Sequence, residues 1–278
     1  MIDIRGMLDE DLPALMNLKE SVGWNQTEWD WEQFLENKEY CYVAIDEETV
    51  IGTITAYSFD NKVAWIGMVI VDKLHRGKGV SKRLLDHLIK KLKVNHRVIK
   101  LDATPAGAPV YEKFGFVTER TFDRMVGRQL NIADQEDDLM KPINDMEAVV
   151  KMDLNVIGYS RERLLRAMNN RYPGYGACLT IDNEVEGYLL GRDGSNFNQL
   201  GPLIAQSDEA AKGLLQYAIR MNQLQSAVVD VNSDKHNLIQ YLEEIGFTRE
   251  RSFTRMYLGS NINVHENAQY LITGPEFG

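Results

Sequence analysis

Ala64-Trp65-Ile66-Gly67-Met68-Val69-Ile70-Val71-Asp72 is followed, after three residues, by Arg76-Gly77-Lys78-Gly79-Val80-Ser81-Lys82. The first run is short, apolar and rich in β-branched residues, which predicts a strand buried on both faces and ending at Asp72. Beyond the second, apolar residues recur at Val80, Leu84, Leu85, Leu88, Ile89 and Leu92 with Lys and Arg between them, the stripe of an amphipathic helix. The basic glycine loop therefore opens a helix. A helix N-terminus leaves its first amides unpaired and carries partial positive charge, so it can seat an anion. Glycines let that backbone come close to a phosphate, and Arg76, Lys78 and Lys82 point to a di- or polyphosphate. The GxxxxGK[ST] nucleotide loop is absent, and Gly77-Lys78-Gly79 lacks the third glycine of a dinucleotide fingerprint. What remains is Arg-x-x-Gly-x-Ser.

The rest of the chain sets bounds on that reading. Its 278 residues, 44% hydrophobic, suffice for two domains with a core in each. No apolar run reaches the length of a membrane span and Met1 to Arg5 has no signal-peptide layout, so a cytoplasmic protein without a membrane partner is expected. Cys41 and Cys178 stand far apart in no metal or redox spacing, which agrees with a reducing compartment and no metal site. A net charge of -10 excludes a general nucleic-acid binder and is compatible with cationic substrates such as amines. The cluster Arg76, Lys78, Lys82 and Arg83 opposes that global sign; its alternative reading is a solvated helix face.

Taken in order, the pattern predicts a strand at Ile2 to Arg5, a helix from the Asp9-Glu10-Asp11-Leu12-Pro13 start, strands at Tyr40 to Ile45 and Val50 to Tyr57, then the strand–loop–helix unit. A strand at Arg97 to Asp102, a short helix at Tyr111 and a closing strand at Arg120 to Arg128 follow. Residues 131–145 have little apolar periodicity and read as a linker between domains 1–130 and 146–278. The second half repeats the first. Gly246-Phe247-Thr248-Arg249-Glu250-Arg251-Ser252-Phe253-Thr254-Arg255-Met256 aligns with Gly115-Phe116-Val117-Thr118-Glu119-Arg120-Thr121-Phe122-Asp123-Arg124-Met125. The copies differ where chemistry is expected: the second has Gln206-Ser207-Asp208-Glu209 before its helix, without glycine or positive charge, and Leu242 where the first has Tyr111.

The Arg76 to Ser81 loop and the Tyr111-Glu112-Lys113-Phe114-Gly115-Phe116 segment resemble the GNAT superfamily of acetyl-CoA-dependent N-acyltransferases, whose pyrophosphate motif is (Gln/Arg)-x-x-Gly-x-(Gly/Ala). Arg76 and Gly79 match; Ser81 departs but is small. The whole chain resembles bacterial two-domain GNAT proteins with a catalytic first half and a degenerate second half. The resemblance implies an α+β fold of tandem GNAT-like domains, each a mixed, mostly antiparallel sheet flanked by helices. It implies acetyl-CoA as cofactor, held by backbone amides from Gly77 through Lys78, Gly79, Val80 and Ser81 to Lys82, with the pantetheine arm paired against Val69, Ile70 and Val71. Tyr111 stands where many members have the tyrosine that protonates the leaving thiolate; packing beneath the cofactor is its alternative role. Thr104 replaces the family's frequent asparagine. No carboxylate lies between Trp65 and Val71, so Asp102, at the end of the next strand, is the candidate base by topology, and capping the following turn is its other reading. Trp24, Asn25 and Trp29 are the acceptor-side candidates, unless the tryptophans staple a helix pair to the core. These features lead to an acetyl-CoA-dependent N-acetyltransferase of a small or amino-acid-like primary amine, acting by direct attack in a ternary complex as monomer or homodimer. A coenzyme A-binding sensor, or an acetyltransferase of a protein amine with the second half as docking module, are the alternatives.

Overall fold

The computed structural model describes residues 2–36, 38–132, 139–262 and 266–278, so the expected linker lies in part outside the described residues. The first half runs β1 (Asp3–Gly6), α1 (Leu12–Ser21), α2 (Glu28–Leu35), β2 (Cys41–Asp46), β3 (Thr49–Phe59), β4 (Val63–Val71), α3 (Val80–Asn95), β5 (Val98–Ala103), α4 (Ala108–Glu112) and β6 (Val117–Gly127). The second runs β7 (Met140–Pro142), α5 (Met146–Ile157), α6 (Glu162–Arg171), β8 (Ala177–Ile181), β9 (Glu184–Arg192), β10 (Asn198–Ala205), α7 (Asp208–Met221), β11 (Ala227–Asn232), α8 (His236–Glu244), β12 (Phe247–Gly259) and β13 (Gln269–Leu271). The apolar run at Val63–Val71 is buried along most of its length, and α3 buries the Val80, Leu84, Leu85, Leu88, Ile89 and Leu92 stripe against the sheet.

The two halves share one sheet, ordered β1-β2-β3-β4-β5-β12-β6-β11-β13-β10-β9-β8-β7 among the described residues. Each half gives its last long strand to the other: β12 lies against β5, and β6 against β11. The two exchanged strands pair antiparallel at the centre with Phe122 opposite Phe253, the matching residues of the repeat. An approximate dyad therefore passes between those phenylalanines. The expected boundary divides the sequence but not the sheet. Merging removes two sheet edges that separate domains would leave open.

The exchange also settles the matched arginines. Arg255 on β12 makes a bidentate pair with Asp102 on β5, both contacts at 2.9 Å, and Arg124 on β6 makes the equivalent pair with Asp230 on β11 at 2.8 and 2.7 Å. One face of the sheet carries a core common to both halves, with Leu15, Trp31, Phe34 and Trp65 joined to Val149, Leu164, Met168 and Phe277. The other face carries two separate cores, one under α3 and one under α7 and α8.

Candidate active site

Strands β4 and β5 run parallel but pair only over Val63–Trp65 and Val98–Lys100. Beyond that they diverge, which leaves the β5-facing edge of Ile66 to Val71 without a strand partner among the described residues. The divergence is helped by a bulge: the β3–β4 register shifts between Thr53 and Thr55, and Met68 takes a positive φ of 50° while its carbonyl accepts from Thr53 Oγ1. The split opens a cleft of about 450 Å³, in the range of small-ligand sites.

The loop at one end of the cleft is built as its sequence requires. Gly77 and Gly79 adopt φ of 76° and 78°, a region that side chains with a Cβ enter at a cost. Gly79 is the N-cap of α3, and no side chain caps the helix there. The first amides of a helix of 16 residues are thus left bare beside Ser81, which lines the cleft. Arg76 lines it too, with Nε donating to the Val71 carbonyl at 3.2 Å. Lys78 and Lys82 are exposed, while Val80 turns its side chain into the core under the sheet. A bare helix terminus, flanking cations and an unpaired strand edge fit a pyrophosphate and an amide-bearing arm. Val69, Ile70, Val71 and Thr104 also line the cleft, with the Thr104 hydroxyl accepting from the Gly107 amide at 3.2 Å.

Tyr111 projects from α4 into the same cleft, its ring edge-on to Phe116 with centroids 5.9 Å apart. Burial pushes its phenol up to about 12, so it stays protonated at neutral pH. Asp102 reaches the cleft floor, but both carboxylate oxygens are taken by Arg255. Burial opposes the charge on Arg255, yet Asp102 more than offsets it and the guanidinium pKa is raised. An arginine does not give up its proton, so this pair stays ionised and Asp102 serves the sheet joint in place of the turn cap considered from sequence.

The acceptor-side trio separates. Trp24 lines the cleft. Asn25 joins the halves: its side chain donates to the Phe197 carbonyl at 2.9 Å and accepts from the Phe197 and Asn196 amides at 2.9 and 3.0 Å. Trp29 sits in the shared core, edge-on to Tyr172 at 5.5 Å. Both contacts are with the second half; for Trp29, in the core, this favours the stapling alternative, while Asn25 serves as a joint between the halves that the sequence did not suggest. Sequence reading missed the residues that the second half and the exchanged strands bring to the cleft: Arg124, Arg251, Phe253, Pro275 and Glu276. For 124, 251 and 253 the repeat was a usable signal; for 275 and 276 no pattern in the sequence marks the position.

The second half has the same framework with the opening filled. β10 and β11 pair in parallel over Asn198–Leu200 and Ala227–Val229 and then diverge, and β13 lies in the gap, with Leu271 opposite both Leu203 and Val231. Its helix α7 is capped by Ser207, whose hydroxyl accepts from the Ala210 amide at 3.1 Å.

Family models match both halves: residues 6–116 match the acetyltransferase (GNAT) family and residues 149–271 an acetyltransferase (GNAT) domain. The holothin acyltransferase of Pseudoalteromonas sp. (strain SANK 73390) is 24% identical over 92% of this chain and 87% of its own length. An uncharacterized N-acetyltransferase of Bacillus subtilis (strain 168), YitH, is 23% identical over 87% and 86%. Among solved structures, a candidate acetyltransferase from Pyrococcus horikoshii superposes with a TM-score of 0.84 at 24% identity, covering 100% of this chain and 96% of the other. A tandem GNAT protein from the clavulanic acid biosynthesis pathway does so with 0.63 at 14% identity, over 95% and 100%. With one GNAT domain matched in each half and the whole sheet shared with such proteins, the chain belongs to the GNAT superfamily of acyltransferases, in its tandem-domain form.

Proposed function

We propose that the first-half cleft transfers an acetyl group from acetyl-CoA to the primary amine of a small metabolite, by direct attack with both substrates bound. The observation that carries this reading is the uncapped, glycine-built N-terminus of α3 opening onto the split between β4 and β5. The bound thioester supplies the activated acyl group. The amides at the start of α3, with Arg76, Lys78 and Lys82, hold the diphosphate, and Gly77, Gly79 and Ser81 let the backbone approach it. The unpaired edge at Val69, Ile70 and Val71, with Thr104 opposite, orients the arm so that its reactive end lies towards Tyr111. Tyr111 supplies a proton to the leaving sulfur, for which a phenol of raised pKa is a reliably protonated donor at neutral pH. Trp24 and Phe253 shape the acceptor end of the cleft.

Isothermal titration of the purified chain with acetyl-CoA tests the reading, beside an Arg76→Glu, Gly79→Glu variant. One site per chain is expected, with affinity lower by about two orders of magnitude or more in the variant. Absence of binding to the unsubstituted chain would remove the proposal.

A further inference from the structure

The central strand β4 carries no carboxylate, and at Gly67 it carries no side chain at all. The space is not empty. A Cβ placed on Gly67 would lie 2.9 Å from the Glu276 carbonyl oxygen, 3.0 Å from its Cα and 3.1 Å from its Cβ. Glu276 therefore stands where a residue 67 side chain would lie, and it lines the cleft with Gln26 and Met68. The close approach requires glycine on the strand, and Gly67 provides it.

The segment that carries Glu276 is held from both sides. Trp65 Nε1 donates to the Pro275 carbonyl at 3.0 Å, and Phe277 stacks on Phe34 with centroids 4.9 Å apart. Arg161 donates to the Gly278 carbonyl at 2.8 Å, and Arg192 to the Thr273 carbonyl at 2.5 Å. These contacts hold the backbone on both sides of Glu276.

Its charge environment is unbalanced. Arg192 Nη2 donates to Glu276 Oε1, but Arg192 is shared with Asp30, whose Oδ1 lies 2.7 Å from Arg192 Nε. Gln26 Nε2 donates to Glu276 Oε2 at 3.0 Å and is neutral. Arg124, already paired with Asp230, and Arg251 line the same cleft. One buried guanidinium is thus shared between two buried carboxylates, of which Glu276 borders the cleft. Burial raises the Glu276 carboxyl, Arg192 pulls it down, Asp30 pushes it up and Arg124 pulls it down again, with a net rise. A cation entering the cleft is the natural complement.

We infer that Glu276, delivered by the second half, receives the ammonium group of the acceptor and takes its proton, so that the first-half site is incomplete without residues 272–278. The inference rests on the acyltransferase reading above and names its substrate class: a primary amine, cationic in solution, with an apolar body beside Val22, Trp24 and Phe253. The protons balance. Glu276 takes one from the ammonium and later releases it to solvent. As the C–N bond forms and the C–S bond breaks, Tyr111 gives its proton to sulfur and recovers one from the nitrogen, which becomes an amide.

The test compares the unsubstituted chain with Glu276→Gln and Glu276→Asp by titration with benzylamine and with benzyl alcohol, its uncharged counterpart, at pH 7 in the absence of coenzyme. Benzylamine should bind the unsubstituted chain more tightly than the alcohol. It should weaken by about 10- to 100-fold in Glu276→Gln, with partial recovery in Glu276→Asp, while the alcohol is unaffected. A parallel acetyl-CoA titration should be the same for all three proteins, which checks folding and keeps the fate of the acyltransferase reading separate. Equal affinity for the two probes, or an amine affinity that Glu276→Gln leaves unchanged, overturns the inference whatever the coenzyme titration gives.

Discussion

The helix that opens at Gly79 and the helix that opens at Ser207 hold matching places in the two halves, yet one N-terminus is bare and the other is filled. At α3 the glycine cap offers no side chain, and the strands beside it stand apart. At α7 the Ser207 hydroxyl occupies an amide, and Asp208 accepts from Tyr270 at 2.7 Å and Asn237 at 2.6 Å. The neighbouring gap between β10 and β11 is taken by β13. A serine and two acids at the cap satisfy the helix dipole from within the chain, which is good for stability and removes the anion site. The same framework can thus be spent on a ligand or on itself. The halves also cooperate, since the segment after β13 continues into the first cleft with Glu276.

The largest effect that probes this comparison concerns what the halves share. Asp102→Ala and Asp230→Ala each leave a buried arginine without its carboxylate, and each should cost about 3–5 kcal/mol of stability by denaturant unfolding. A loss confined to activity in Asp102→Ala, with stability intact, would return Asp102 to the list of candidate bases. Next comes Tyr111, whose counterpart in the second half is Leu242. Tyr111→Phe should lower kcat by about 100-fold or more with acetyl-CoA affinity unchanged. The protonated phenol is the donor, so a pKa raised to about 12 extends its working range upward, and activity is lost only as pH approaches that value. The Tyr111 contribution to kcat should therefore stay flat from about pH 7 to 10, where an ordinary phenol would be half ionised. The smallest expected effect is none: Asp208→Asn, Glu209→Gln should create no second acetyl-CoA site by titration, because β13 still fills the gap. A second equivalent of binding would show that charge at the cap, and not the inserted strand, closes the second half.

Much of the first half was legible in its residues. The apolar run before Asp72, the glycine pair and the heptad-like stripe from Val80 to Leu92 each encode a local conformation, and the structure realises them within a residue or two. Local rules failed where residues of different halves converge. Asn25 and Trp29 lie next to Trp24 in sequence, but a polar side chain that meets three backbone groups of 196–197 and a ring that meets Tyr172 answer to partners far along the chain. Asp102 read as a candidate base or a turn cap, and its partner Arg255 is 153 positions away.

Sequence alone determined the main elements of the first half, the repeat, and the contrast between a glycine-capped helix start in the first copy and a serine-capped one in the second, because hydrophobic period, glycine conformation and cap chemistry act over a few residues. The tertiary structure decided which strand pairs with which. β6 and β12 carry nearly the same pattern and either could lie against β5, so their own residues do not choose; the exchange puts each arginine opposite its aspartate across the dyad. It also decided what becomes of each split, an open cleft in one half and β13 in the other, and it brought Glu276 to Gly67. Those outcomes depend on contacts between segments up to about the full chain length apart, where the pattern of one segment carries no information about its partner.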